Sequence, residues 1–404
     1  MNGWNDMHRK RVLFLTPWIP YPPNGGGVYV SYRTLLHINA SYDTTVFILD
    51  KTGDENSTSA LGTVLRNCRV YSLCFKRDRT TAAFLASILA NKPLAVFRNY
   101  SPKAKLMIEK LAADADVIVV DHYLMFQYVP KWFQGRVVVL THNAEFLLWE
   151  RALEYVNSVK RIVLKYEAGR VRKYESEMLR EADAVGAFGN DLKAFLSLGC
   201  GVDKLVERLP FGDEESLKLP EIDFARNGPI ALFLGTLSWE PNINGIRWFL
   251  QNCWPQVRTV VPNAEFWIGG IGGRDSMRSE FTKLKGVKYL GFIEDIEKVY
   301  AKSRVFVAPM RFGAGIKIKV LNAMFRGLPV VCTACGAEGL GCDNGEGVWV
   351  TEEPLQYAKY VSKLLTDANL CLNIAVRGRE FARLSFTGCQ LTRGIDFAIC
   401  GDET

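Results

Sequence analysis

Two glycines and two lysines stand at alternating positions in Gly313-Ala314-Gly315-Ile316-Lys317-Ile318-Lys319. An apolar strand, Val305 to Ala308, precedes them, and Pro309-Met310-Arg311-Phe312 connects the two. A helical pattern follows and stops before Gly327-Leu328-Pro329, where a new strand begins at Val330. Strand, glycine turn and helix is how α/β proteins offer backbone N–H groups to an anion. Glycine lets the backbone approach a ligand closely. Two lysines at a helix start oppose the macrodipole unless an anion sits there. The chemistry implied is binding of a phosphate-bearing ligand; the alternative is that both lysines point to water.

Other residues with chemical potential are spread along the chain. The glycine run in Asn24-Gly25-Gly26-Gly27 follows a first strand, but Gly-x-Gly-x-x-Gly spacing is not met. No acidic residue clearly ends the second strand as a ribose anchor, Asp50 being the one available. His142 follows a strand, as does His122 in Val119-Val120-Asp121-His122; strand C-termini open onto the ligand side of such sheets. Each histidine could equally satisfy a backbone group. Gly269-Gly270-Ile271-Gly272-Gly273 ends another strand and allows close backbone approach or simply forms a surface loop. Asn242 is placed to cap a helix. Asp114-Ala115-Asp116 has the spacing of a metal-binding pair, but it is expected at a helix end. No His/Asp cluster suggests a metal, and no nucleophile elbow supports Ser-His-Asp catalysis.

The elements that must hold these residues alternate regularly. Strands are expected at 11–16, 44–49, 69–74, 117–120, 137–140 and 184–188, rich in β-branched residues. Helical patterns lie between them, including a long stretch over 145–181 that Gly169 is expected to break. A polar, turn-rich segment at 209–229 reads as a linker. The alternation restarts with strands at 230–234, 265–268, 287–290, 305–308, 330–333 and 348–350, then a helical stretch over 355–384 and a last segment to 399. Such alternation implies mostly parallel sheets covered on both faces.

The glycine–lysine stretch also resembles the donor-binding motif of retaining GT-B glycosyltransferases of family 4, the glycosyl transferases group 1. One branch of that family has Gly-x-Gly-x-(Lys/Arg)-x-Lys-x-x-Glu-Ala followed by Gly-x-Pro-Val-Val. This chain reads Gly313 to Ala323 and then Gly327-Leu328-Pro329-Val330-Val331, and Gly336-Ala337-Glu338-Gly339-Leu340 also fits. Asn322 departs from the pattern, where the family has glutamate. The resemblance covers nearly the whole chain, is strongest over 232–340 and is weakest over 52–115.

The resemblance implies an α/β GT-B fold of two Rossmann-like domains with a cleft between them. The boundaries are an acceptor domain at 1–208, a nucleotide-sugar donor domain at 209–385, and a C-terminal helix at 386–404 returning to the first domain. It implies donor contacts at Gly26 and Gly27, at Gly235 and Thr236, at the base-binding turn of Phe292 and Ile293, and at Arg311, Gly313, Ala314, Gly315, Ile316, Lys317 and Asn322. His142, within a His-Asn-x-Glu element with Asn143 and Glu145, would lie near the reaction centre, and His122, Asn143 and Glu145 become acceptor-side candidates. Family members carry Arg and Lys in the loop after Gly235; here Thr236 and Pro241 occupy those places, so Lys319, and secondarily Lys317, must supply the charge. His142 and Lys319 are thus the catalytic candidates.

The implied function is sugar transfer from a nucleotide-diphosphate sugar to a glycan or lipid-linked acceptor with retention, in surface polysaccharide or glycoconjugate synthesis. No metal and no further cofactor are expected. Asn322 keeps open the alternative of a catalytically weakened scaffold or partner protein; a GT-B-fold epimerase is a third reading, but its catalytic carboxylates have no clear match here.

Length and composition fit two ordinary domains of a globular protein. No apolar run reaches membrane-spanning length, and the polar segment 1–10 does not resemble a signal peptide. Among the ten cysteines, Cys332 and Cys335 lie three apart with no second pair, so reduced thiols in a cytoplasmic protein are expected rather than zinc. The formal charge of +7 falls entirely in the first half, partly in Lys160, Arg161, Lys165, Arg170, Arg172 and Lys173. That set suits an anionic membrane surface, with attachment at the inner face, and nucleic acid is not an expected partner; the plain alternative is a solvated helix face.

Overall fold

The computed structural model describes residues 9–401, apart from the side chains of residues 158 and 159. The polar N-terminal segment as far as residue 8, and residues 402–404 of the expected C-terminal segment, lie outside the described residues. Two compact units are present: residues up to 209 with those from 392 onward, and residues 210–391.

The first unit is built on seven parallel strands: β1 (Arg11–Thr16), β2 (Asp43–Asp50), β3 (Arg69–Cys74), β4 (Val117–Asp121), β5 (Arg136–Leu140), β6 (Ala184–Phe188) and β7 (Leu205–Arg208). Their order is β3-β2-β1-β4-β5-β6-β7. Strands β4 and β6 are buried from end to end, which accounts for their continuous apolar sequences: helices cover both faces. The strand order reverses between β1 and β4, and such a switch point opens a crevice at the strand C-termini. Thr16 ends β1, Asp121 ends β4, and His142 lies two residues past β5.

Strand β7 was not expected; its four residues, two of them charged, carry no apolar alternation. Gly169 does not break its helix, which runs unbroken over Ser158–Glu181. The interruption falls earlier, where Asn157 caps that helix by accepting from Lys160 N at 3.3 Å. The closing helix Gln390–Cys400 packs on the first unit: Asp396 Oδ1 takes His37 Nε2 at 2.7 Å and Tyr42 Oη at 3.0 Å.

The second unit has six parallel strands: β8 (Ile230–Leu234), β9 (Glu265–Gly269), β10 (Val287–Gly291), β11 (Val305–Ala308), β12 (Val330–Cys332) and β13 (Val348–Val350). Their order is β10-β9-β8-β11-β12-β13, with the switch between β8 and β11. The stretch expected to be a linker is instead folded onto this unit. A Cβ on Gly212 would lie 2.1 Å from the Phe325 ring, so only glycine lets the chain pass there. Asp213 N donates to Asn322 Oδ1 at 3.0 Å, and Arg379 Nη2 donates to Leu217 O at 2.9 Å. The helical stretch expected over 355–384 is two helices, Pro354–Thr366 and Ala368–Ser385, divided by Asp367, which caps the second by accepting from Leu370 N.

Candidate functional site

In the second unit the loops leaving β8, β9, β10 and β11 gather the donor candidates. Gly235 N donates to Gly269 O at 3.1 Å, and Gly270 N to Gly291 O at 2.7 Å. A Cβ on Gly270 would fall 1.7 Å from Gly235 O, so these loops touch backbone to backbone. Phe292 follows with its ring 61% exposed, while Ile293 packs its side chain over Gly269. Beside them is a cavity of about 340 Å³ lined by the Gly270–Gly273 loop, Arg274, Arg278, Tyr289 and Phe292.

The glycine–lysine loop turns at Gly315, whose φ of 68° is the left-handed conformation that favours glycine. Lys317 then stands at the N-cap position of the helix Ile318–Arg326, without a side-chain bond to its N–H groups. The two lysines have different surroundings. Lys317 is buried; its Nζ donates to Ala314 O at 3.2 Å and to Gly315 O, and lies 3.5 Å from Glu338 Oε2. Gly339 presses on Ile316 in the same contact, so the 336–340 segment supports this loop. Lys317 therefore holds the loop together.

Lys319 remains half-buried. Its Nζ donates to Asn242 Oδ1 and lies 4.7 Å from the centre of the Phe233 ring. Asn242 also donates through Nδ2 to Thr236 O at 2.8 Å. Burial, and then the neighbouring charge of Lys317, lower the Lys319 ammonium to about 7. An incoming diphosphate would favour its charged form. Asn242 was expected only as a helix cap; its partner lies far away in sequence, so no local signal could show it. Asn322 is half-buried on the helix Ile318–Arg326, and its single acceptor oxygen takes Asp213 N.

In the first unit, Gly26 and Gly27 open the helix Gly26–Ser41. His142 Nε2 lies 2.7 Å from Asp121 Oδ1, with both side chains buried. Trp18 sets its edge against the rings of His122 and His142, at 5.0 and 5.4 Å between centroids. His122 adopts φ of 84° and accepts from Leu124 N at 3.4 Å through Nδ1. Its Nε2 lies 3.7 Å from Glu145 Oε1. Burial, followed by the nearby His142, pushes the His122 imidazole well below its ordinary value. Burial raises the Glu145 carboxyl to about 7, although Asn143 Nδ2 donates to it at 3.4 Å. Glu175, further back, receives Glu145 N and Phe146 N and so caps the helix Glu145–Ala152. His142, His122, Asn143 and Glu145 thus meet around Trp18 and Asp121, two residues that the sequence did not single out.

Among the described residues no group of three or more His, Cys, Asp or Glu is gathered to hold a metal ion. Asp116 of the Asp-x-Asp pair is bound to Arg11 at 2.7 Å. The basic helix needs a correction. Arg170 is buried, paired with Glu167 and bonded to Lys92 O at 2.8 Å. Arg172 pairs with Glu150 at 2.9 Å, and Lys173 reaches Glu177 at 4.0 Å. Lys160, Arg161 and Lys165 remain on the exposed face. Beside them Ile162, Val163 and Tyr166 are exposed. So are Leu85 and Leu89 of the adjoining helix Thr81–Leu89, which Arg170 ties in through Ser87 Oγ at 3.2 Å. No helix of the described residues is long and apolar enough to cross a membrane.

Residues 228–367 match the family described as glycosyl transferases group 1. An uncharacterised 44.6 kDa protein of the Klebsiella pneumoniae cps region is 29% identical over 163 residues, covering 38% of this chain and 42% of that protein. The O-antigen chain mannosyltransferase B of Escherichia coli is 32% identical over 109 residues, covering 26% of this chain and 28% of that protein. The chain therefore aligns with less than half the length of either relative. The structure of Anabaena HepE in complex with UDP-glucose superposes with a TM-score of 0.64 at 17% identity, over 96% of this chain and 98% of that one. The fold is shared at that distance: two Rossmann-like parallel-sheet domains of the GT-B type.

Proposed function

We propose that this chain, which carries a glycosyl transferases group 1 domain over residues 228–367, transfers a sugar from a nucleotide-diphosphate sugar to a glycan or lipid-linked acceptor. The observation that carries this reading is the contrast between the two lysines. Lys317 already has Glu338, whereas Lys319 rests on a neutral amide and an aromatic face at the start of a helix. As the sugar–phosphate bond breaks, charge builds on the departing diphosphate. Lys319, the N-terminus of the helix Ile318–Arg326 and the N–H groups of the Gly313–Gly315 turn stabilise that charge. The lysine supplies the positive charge that a divalent ion would otherwise provide, so the proposed chemistry is metal-independent.

Retention of configuration is part of the proposal. In that account the acceptor attacks the face the diphosphate leaves, and the leaving phosphate helps to take the acceptor proton. The HepE neighbour is described with UDP-glucose, one relative is described as a protein of a cps region, and the other as an O-antigen chain mannosyltransferase. These support a UDP-sugar donor and a role in surface polysaccharide synthesis. A scaffold role is the second reading, favoured by the engagement of Asn322 Oδ1 with Asp213.

The protein acts in the cytoplasm, attached peripherally to the inner membrane face through Lys160, Arg161 and Lys165 and the exposed apolar side chains beside them. The deciding experiment is a thermal-shift screen against UDP, GDP, TDP and CMP and their sugars, followed by transfer assays with the stabilising donor. A specific ligand at 100 times its Kd stabilises by about 2.7 kcal/mol. Stabilisation with turnover supports the enzyme; stabilisation by a nucleotide without any transfer supports the scaffold.

A further inference from the structure

The first unit carries a second concentration of positive charge, which the proposed chemistry leaves unused. It lies where the chain leaves β2 and β3. Lys51 follows Asp50, the last residue of β2, and Lys76, Arg77 and Arg79 come soon after β3. The two strand ends are tied together: Phe75 N donates to Asp50 O at 2.7 Å, and a Cβ on Gly53 would lie 3.6 Å from Cys74 Sγ. Arg98 ends the short helix Leu94–Arg98 beside them.

Two of these cations are held in fixed poses. Arg77 Nη1 donates to Phe97 O at 3.1 Å, and Arg98 Nε donates to Arg77 O at 2.9 Å. The Arg77 guanidinium also lies 4.7 Å from the centre of the Phe97 ring and 5.5 Å from that of Phe75. Each guanidinium thus spends one donor on a carbonyl and keeps the others. Both residues are half-buried, and none of their nitrogens is sealed from solvent without a partner.

The charges are not neutralised from within. Among the described residues Lys51, Arg77, Arg79 and Arg98 form no ion pair, while Lys76 reaches Asp78 at 3.9 Å. Asp50 turns into its own loop, accepting from Thr52 N at 2.8 Å and Gly53 N at 2.6 Å, and Asp54 caps the next helix. Desolvation, and then the charge of Arg98, lower the Lys51 ammonium. Desolvation, and then Arg79, lower the Arg98 guanidinium, with Asp78 as the opposing charge. Solvated side chains would spread apart, because like charges repel. Here hydrogen bonds and ring faces keep the two guanidinium groups in place, and an anion would relieve the repulsion. The crevice of this unit opens at the same ends of the strands, at the switch between β1 and β4.

We propose that the first unit recognises its acceptor through a phosphate or diphosphate group, gripped by Lys51, Arg77 and Arg98 at the ends of β2 and β3. Guanidinium forks match phosphate oxygens in pairs, and an ammonium adds a point charge. That the anion belongs to the acceptor rests on the glycosyltransferase reading; the anion site itself does not.

The test is brief acylation of the full-length protein followed by peptide mass spectrometry, which reads Lys51 directly and is blind to an anion held by the second unit. Inorganic pyrophosphate should slow acylation of Lys51 severalfold and leave Lys160 unchanged. Sodium chloride at equal ionic strength should protect neither. Arg98→Gln should raise the pyrophosphate concentration needed for half-protection by roughly 10-fold or more. If that variant does not fold, the exposed Arg79→Gln serves, with a smaller rise. Farnesyl diphosphate and glucose 1-phosphate separate the two sources. Protection by the first at lower concentration than by pyrophosphate assigns a lipid-linked diphosphate. Protection by the second at lower concentration than by inorganic phosphate assigns a phosphate on the glycan. Acylation of Lys51 that ignores every probe, or protection that sodium chloride reproduces or that Arg98→Gln leaves unchanged, overturns the proposal. So does protection by the inorganic ions with neither organic probe acting at lower concentration, which marks an adventitious ion only. Transfer from a donor with Lys51 unprotected sinks this inference alone. Protection without transfer from any donor sinks the activity reading and leaves the anion site standing.

Discussion

Asn242 Oδ1 accepts from Lys319 Nζ, and the same amide donates to Thr236 O, so one neutral side chain ties the candidate phosphate lysine to the loop after β8. An amide can hold an ammonium in place without neutralising it. A carboxylate at that position would compete with the diphosphate for the lysine.

Lys319→Ala should lower kcat/KM for the donor by about 100-fold or more, the loss typical of removing one group aimed at a developing anion. Circular dichroism and melting temperature should stay near wild type. Lys317→Ala, by contrast, should destabilise the fold, because it removes the buried ammonium that bonds Ala314 O and Gly315 O and faces Glu338.

Lys319, held at about 7 by burial, predicts a proton linkage. Diphosphate binding raises its affinity for a proton, so titrations near pH 8 should show proton uptake. Calorimetry in buffers of different ionisation enthalpy measures it directly. Asn242→Asp should raise the lysine, abolish the uptake at that pH and weaken nucleotide affinity.

Asn322→Glu should tighten binding of the cognate nucleoside diphosphate, because a charged acceptor contributes about 1.5–3 kcal/mol where a neutral one contributes less. Calorimetry checks it. Weaker binding would show that the contact with Asp213 N fixes asparagine at this position.

Glu145 gives a prediction of stability against pH. Its folded value is raised to about 7 by burial, above the unfolded value near 4.3. The folded state then binds the extra proton between these values, so this group's contribution to stability declines as pH rises from about 4.5 to 7. Glu145→Gln should match the wild type at the acid end and be more stable by roughly 1–3 kcal/mol at pH 8. Denaturant melts at both pH values decide it.

Anionic liposomes should co-sediment the protein at low salt and release it at high salt, with Lys160, Arg161 and Lys165 contributing up to about 1 kcal/mol each. Replacing all three by Gln should remove the salt-dependent part. Leu89→Ser with Ile162→Ser should weaken the part that salt leaves intact. Binding that ignores both changes would rule out this face.

The sequence was most readable where structure is decided locally. β-branched runs marked twelve of the thirteen strands among the described residues, and the glycine–lysine alternation marked a strand-to-helix turn. It was least readable where a residue's role depends on a distant partner. Asp121 stood next to His122, and the histidine drew attention, yet the aspartate binds His142. Asn242 appeared as a cap, and nothing nearby announced Lys319. Arg170 looked like part of a basic face, although Glu167 three residues earlier was the available hint of a buried pair. Gly169 looked like a break, but one exposed glycine costs only about 1 kcal/mol, and the tertiary contacts of neighbouring Arg170 and Glu167 outweigh it.

The helix Gln390–Cys400 gives the first unit an unusual birth order. Gly394 lies so close to β7 that a Cβ there would fall 2.3 Å from Glu207 O, and Arg136 Nε donates to Ala398 O at 2.7 Å. During synthesis the seven-stranded sheet emerges first, and its fitted cover arrives only after the whole second unit has been translated. The early sheet must therefore wait with the β7 backbone and the Arg136 side chain unsheltered. A ribosome that stops just before residue 392 releases a chain in which the second unit is nearly complete and the first is not.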